Sequence, residues 1–282
     1  MAFDHDRVAQ LFEKLDRQAT KLSVKPQPKN IHQFRTAARR VETVLGELIP
    51  DQDRKGRKLL KLVSRLRRRA GRVRDLDVQI AALRNLKVSE QPGLKTQILQ
   101  ALSEKRARRE KRFLDMVDKA TVRQLRRRLK RAQERFPDPA PDPSAVAQSM
   151  LAGFANHNGA ITEKLLHSYR VQGKKIRYIA ELVPDDARAQ RMVEQLKRMQ
   201  DALGEWHDWL TLNSTVAKLI PDGTNSPLRS AVSNIMRAKY RDAVQAVNFA
   251  KTQLLKKPTE PAQMASNGRR SVGTVEAARA VA

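Results

Sequence analysis

One pattern of a histidine and three cations occurs twice in this chain, 135 positions apart: His32-x2-Arg35-x3-Arg39-Arg40 and His167-x2-Arg170-x3-Lys174-Lys175. On an α-helix, offsets of three and seven return to nearly one face. Each copy therefore sets an imidazole and its cations in a single stripe. A second match follows each copy, Gly71-x3-Asp75 and Gly204-x3-Asp208, at intervals of 39 and 37 residues from the histidine. A repeat this long is no solenoid period. It predicts an all-α fold made by internal duplication, a bundle with two antiparallel halves packed about a pseudo-twofold axis. The first half spans 1–136 and the second 144–257, leaving a tail over 258–282.

Apolar spacing supports that reading. Gly and Pro cluster at punctuation points, and alternating strand-like runs are missing. Helices are predicted near 3–22, 30–49, 52–70, 74–87, 95–135, 145–158, 160–183, 186–203, 206–220 and 227–256. Pro50, Pro92, Pro184, Pro221 and Pro258 are the expected stops, and Asp51 and Asp185 the expected caps. The run from Pro137 to Pro143 reads as a stiff linker. Leu59, Leu62, Leu66, Ala70 and Val73 fall on one arc that would be buried. The tail is small, polar and aperiodic, which predicts disorder.

The charge points outward from this core to a partner. The chain has 57 Lys+Arg against 30 Asp+Glu, a net of +27 over 282 residues. That excess calls for anions and makes the unbound protein repel itself. Residues 1–136 hold +21 of it and 137–282 only +6, so the first half is expected to dominate binding. The absence of cysteine excludes disulfides, a thiolate nucleophile and Cys-ligated zinc. No secretory leader and no bilayer-spanning run is read, so the expectation is a cytoplasmic protein with no membrane partner.

Two further ridges carry cations. Lys58, Lys61, Arg65, Arg68 and Arg72 follow offsets of 3, 7, 10 and 14, with Arg69 beside them. Another runs through Lys105, Arg109, Arg112, Lys119, Arg123 and Arg127, and could equally be a solvated face. Like charges at i,i+4 cost roughly 0.2–0.5 kcal/mol per pair, so a ridge of one sign implies a compensating anion. Arg forks onto two phosphate oxygens, Lys acts as a point charge, and His adds a titratable donor.

Other features read as structural. His5, His157 and His207 stand outside the repeated pattern. Asp75 and Asp208 would orient neighbouring Arg side chains or cap helices, and Asp75-Leu76-Asp77 is too weak a signal for a metal. Trp206 and Trp209 are expected to pack, not to stack bases. No phosphate loop, His-Glu-x-x-His or Gly-x-Ser-x-Gly motif is found. No enzyme, cofactor or metal is therefore predicted.

The repeated residues resemble the CHAD family, the conserved-histidine α-helical domain. The first-repeat likeness rests on His32, Arg35, Arg39 and Arg40, then on Leu66 and Gly71 through Val78. The second rests on His167, Arg170, Lys174, Lys175, Arg177, Tyr178 and Glu181, with Leu196 through Asp208 downstream. The likeness covers roughly 1–256. It implies two pseudo-symmetric, antiparallel, four-helix-bundle-like halves with a basic central surface or pore, binding of inorganic polyphosphate without catalysis, and association with polyphosphate granules in bacterial cells. Two departures stand out: Glu42 replaces a cation usual in the first repeat, and Glu194, Asp201 and Glu205 dilute the second.

The binding residues expected from pattern and resemblance together are His32, Arg35, Arg39, Arg40, Lys58, Lys61, Arg65, Arg68, Arg69, Arg72 and Arg109 of the first half. His167, Arg170, Lys174, Lys175, Arg177 and Arg198 complete them. The alternative is a helical nucleic-acid-binding protein. Aromatics form only 4% of the chain, with none interleaved in the ridges to stack bases, so nucleic acid is expected to bind weakly and without specificity. Oligomeric state is left open by the sequence.

Overall fold

The computed structural model describes residues 5–49, 52–88, 92–137, 141–155, 159–220 and 226–255. Nine helices and no strand occur among them: α1 (His5–Val24), α2 (Pro28–Leu48), α3 (Arg54–Asn85), α4 (Pro92–Leu114), α5 (Lys119–Glu134), α6 (Pro143–Ala155), α7 (Glu163–Ala180), α8 (Ala187–Leu219) and α9 (Pro227–Leu255). The all-α expectation holds.

Three boundaries differ from the sequence reading. Residues 52–70 and 74–87 form the single helix α3, and 186–203 and 206–220 the single helix α8. Gly71 and Gly204 are each absorbed in a helix interior, because flanking apolar residues keep the burial period: Leu66, Ala70, Val73 and Leu76 in α3, Met199, Leu203 and Trp206 in α8. Conversely, the long helix 95–135 is two, broken at 115–118 without Pro or Gly. Asp118 turns the chain by accepting from the Thr121 amide at 2.7 Å, starting α5. The ridge from Lys105 to Arg127 is therefore not continuous.

Caps also shift. Asp53 caps α3 and Asp186 caps α8, the latter accepting from the Arg188 and Ala189 amides. Pro92 and Pro143 open helices, as the first helical turn allows. Pro50, Asp51, Pro221, Pro258, His157, residues 138–140 of the linker and the tail lie outside the described residues.

Helices α1 to α5 pack chiefly among themselves, as do α6 to α9; the sets meet where α2 lies against α7 and α3 against α8. The main core runs from Phe12, Phe34 and Leu66 through to Tyr169, Leu203 and Trp206. A smaller core joins the far halves of α3 and α8 to α4 and α9 through Leu83, Leu102, Leu212 and Leu228. Trp206 is fully buried and Trp209 is packed against the smaller core, consistent with packing roles. Among the described residues, no helix is long and apolar enough to cross a membrane.

Candidate functional site

The α2–α7 contact is where the two copies of the repeated motif meet. Ile31, Phe34, Ala38, Val41 and Leu45 commit one face of α2 to the core, and Leu166, Tyr169, Ile176 and Ile179 do the same for α7. Their cations are thereby left on the flank between the helices. Arg35 and Arg39 come together there with Arg170 and Lys174. Among the described residues, none of the four makes an ion pair, and the Nε atoms of Arg35 and Arg170 are buried without a hydrogen-bond partner.

Such crowding is legible in their acidities. Burial, then Arg170, Arg39 and Arg35, pull the Lys174 ammonium down to about 6. Burial, then Arg35, bring Arg39 to about 10. Asp75 opposes this for Arg35, and Asp208 for Arg170 and Lys174. Asp208 itself is held above the usual carboxylate range, since burial outweighs its cationic neighbours.

The histidines border this cluster unequally. His32 is exposed, and burial of its inner edge with Arg74 and Arg35 lowers its pKa. The His167 ring lies 5.8 Å from that of His207. Burial beside Arg170, His167 and Lys174 drives His207 to about 3, and its Nδ1 has no partner. His207 thus belongs to the cluster, contrary to its sequence reading; its place immediately before the repeated Asp208 was the available signal.

At Gly71 a Cβ would stand 3.4 Å from Arg35 Nε, an ordinary van der Waals contact, so the guanidinium lies against α3 there without requiring a glycine. Gly204 has open space around it. The two repeated glycines are thus not equivalent in their surroundings.

Beside the cluster, α2, α3 and α7 enclose a cavity of about 730 Å³. Arg39 from α2, Arg57, Lys61, Arg67 and Arg68 from α3, and Arg170, Lys174 and Lys175 from α7 line it, against two carboxylates, Glu42 and Glu47. Glu42 ion-pairs with Arg67, and Glu47 with Lys175 at 2.6 Å. The other six cations have no ion-pair partner among the described residues. No aromatic side chain lines the cavity.

The remaining predicted residues are dispersed. Arg40 and Arg177 both reach Glu181, at 2.9 and 3.3 Å, and both lie over the Tyr178 ring. Lys58 faces a second groove, of about 570 Å³, between α3 and α5 with Lys55, Arg128 and Arg131. Arg65 and Arg72 are exposed and Arg69 half-buried; Arg109 donates to the Arg72 carbonyl at 3.5 Å. Arg198 is exposed, pairs with Glu194 at 2.6 Å, and faces a groove beside α9 with Asp242. The structure does not bring it to the cavity. Arg57 and Arg67 were missed by sequence. The first was findable, since Arg57, Lys61, Ser64 and Arg68 follow helical offsets of 4, 7 and 11, whereas the series starting at Lys58 straddles two faces.

Comparison with known families matches the CHAD domain over residues 7–217, most of the chain. The chain belongs to the CHAD domain family. The fold of this CHAD protein is similar to the crystal structure of the CHAD domain from the plant Ricinus communis. The TM-score is 0.66 at 17% identity, over 88% of each chain. It is also similar to PptA from Streptomyces chartreusis, with a TM-score of 0.55 at 14% identity, covering 89% of this chain and 99% of that one. No curated protein matches this CHAD chain.

Proposed function

We propose that this CHAD protein binds inorganic polyphosphate, without turning it over, in the cavity between α2, α3 and α7. The observation that carries the reading is the gathering of Arg35, Arg39, Arg170 and Lys174 with no ion-pair partner among the described residues. Mutually depressed cations are a standing electrostatic cost. A chain of phosphates removes it, because each guanidinium can fork onto phosphate oxygens. Membership of the CHAD family and the absence of aromatics from the cavity wall favour polyphosphate over nucleic acid. The two motifs are read as copies of one duplicated helical unit, one supplying α2 and the other α7, in halves over 1–136 and 144–257. Binding would place the protein on polyphosphate granules in the cytoplasm.

A competition experiment tests this. Long-chain polyphosphate should displace labelled single-stranded RNA at equal phosphate concentration and moderate salt, and the reverse should fail. Displacement of polyphosphate by RNA overturns the reading. Phosphate release on incubation with polyphosphate and magnesium or manganese, abolished by Asp75→Asn, would overturn its non-enzymatic part.

A further inference from the structure

The cavity contains its own anions. Glu42 and Glu47 of α2 line it beside eight cations and the neutral Thr43, Gly46, Leu60, Ser64 and Val171, and each is half-buried against one cation, Arg67 or Lys175. Five residues of helix separate them, about 7.5 Å along the axis. Arg39, Arg57, Lys61, Arg68, Arg170 and Lys174 are the cations left for a ligand. A polyanion entering here meets two fixed negative charges that cannot move far, because each is held by its partner.

We propose that Glu42 and Glu47 act as a charge-density filter, admitting polyanions with closely spaced charges and rejecting those with wider spacing. This rests on the polyphosphate reading above. In polyphosphate a single bridging oxygen separates neighbouring phosphorus atoms, and every one bears charge. The strand is thin enough to meet the six unmatched cations while leaving both internal ion pairs intact. In a nucleic acid a ribose intervenes between phosphates. Fewer charges then fall within the same length, and the sugars press the strand against the whole wall, both carboxylates included. The repulsion therefore falls on the wide strand, which is pressed against both carboxylates, and spares the thin one, which stays on the six cations. Specificity here comes from a repulsive element, which net charge of +27 alone could not supply.

The test titrates long-chain polyphosphate and single-stranded oligoadenylate against the full-length wild type, Glu42→Gln, Glu47→Gln and the double variant across a salt series. In the double variant, oligoadenylate affinity should rise at least tenfold. Its log–log salt slope should steepen by about 1.4, since two released cations contribute about 0.7 each. Polyphosphate affinity should change less than threefold, with its slope unmoved. Glu42→Gln/Arg67→Gln supplies a second reading at unchanged net charge and without an orphaned guanidinium: oligoadenylate should again gain more than polyphosphate. Equal gains for the two ligands, or an unmoved oligoadenylate slope, overturn the filter. If the wild type prefers polyphosphate and the variants keep the same preference, the filter alone fails. If the wild type prefers oligoadenylate, the polyphosphate reading fails and the filter with it.

Discussion

Arg40 of α2 and Glu181, which follows α7, lie 2.9 Å apart and tie the two helices together. The guanidinium also covers the Tyr178 ring at 5.4 Å, while Arg39, one residue earlier, makes no ion pair among the described residues. Adjacent members of one motif thus divide into a strut and a free charge. Arg40→Ala should lower stability by about 1–2 kcal/mol, the sum of a half-buried ion pair and a cation–π contact, and lower Tm by roughly 2–4 °C per kcal/mol. Arg39→Ala should leave Tm unchanged or raise it, and weaken polyphosphate binding about tenfold or more. Thermal melts and titrations on the two variants separate these roles; matching profiles would refute the division.

Binding should depend steeply on salt. Six unmatched cations line the cavity, and single-stranded polyanions release counterions with a slope of about 0.7 per contact. The log–log slope should therefore lie near −4. A slope shallower than about −2 would show that few of the six engage.

Proton uptake on binding should come from Lys174. Its ammonium is depressed from 10.5 to about 6 by burial, Arg170, Arg39 and Arg35, so at pH 7.5 the free protein holds it mostly neutral. A phosphate chain favours the charged form. Affinity should therefore fall as pH rises from about 6 to 8, with about one proton taken up near the upper end. Calorimetry in buffers of different ionisation enthalpy counts it. Lys174→Met should abolish the uptake and His32→Gln should preserve it; the reverse pattern would assign the uptake to the histidine.

The same shift sets a trend in the unbound protein. Between about 6 and 10.5 the unfolded chain holds the Lys174 proton and the folded one does not. Stability therefore rises with pH through that window and is lost as pH falls toward 6. Melts of wild type and Lys174→Met should converge near pH 10.5 in their pH response and diverge below it, the wild type falling more steeply. Parallel curves would contradict the depressed value.

Both halves of the sequence should matter despite their unequal charge. Arg39 depresses Arg170 across α2 and α7, and both line the cavity, so Arg170→Ala should cost at least as much affinity as Arg39→Ala. Arg198→Ala, already paired with Glu194 away from the cavity, should change affinity less than twofold. A tenfold loss there would move the binding surface toward α9.

The residues of the central cluster were legible because a helical stripe is a local property. Spacing alone placed Arg35 with Arg39 and Arg170 with Lys174. Which stripes face one another is not local: Arg40 and Arg177 pair with Glu181, and Arg198 with Glu194, which spacing did not reveal. Glycine was also over-read as punctuation. Gly71 sits inside α3, whereas the true break at 115–118 depends on one capping aspartate, Asp118. Net charge does not resolve the division of labour within the cavity, where Arg39, Arg57, Lys61 and Arg68 come from the first half and Arg170 and Lys174 from the second.

The packing of α2 against α7 makes helix contact and ligand capture one problem. With Arg35, Arg39, Arg170 and Lys174 gathered there and no ion pair to them among the described residues, the junction of α2 and α7 is an arch whose stones repel and whose keystone comes from outside. A ligand that binds only the folded form adds stability with the logarithm of its concentration. The protein's own persistence would then track the supply of phosphate polymer, falling as the store is drawn down and recovering as it refills.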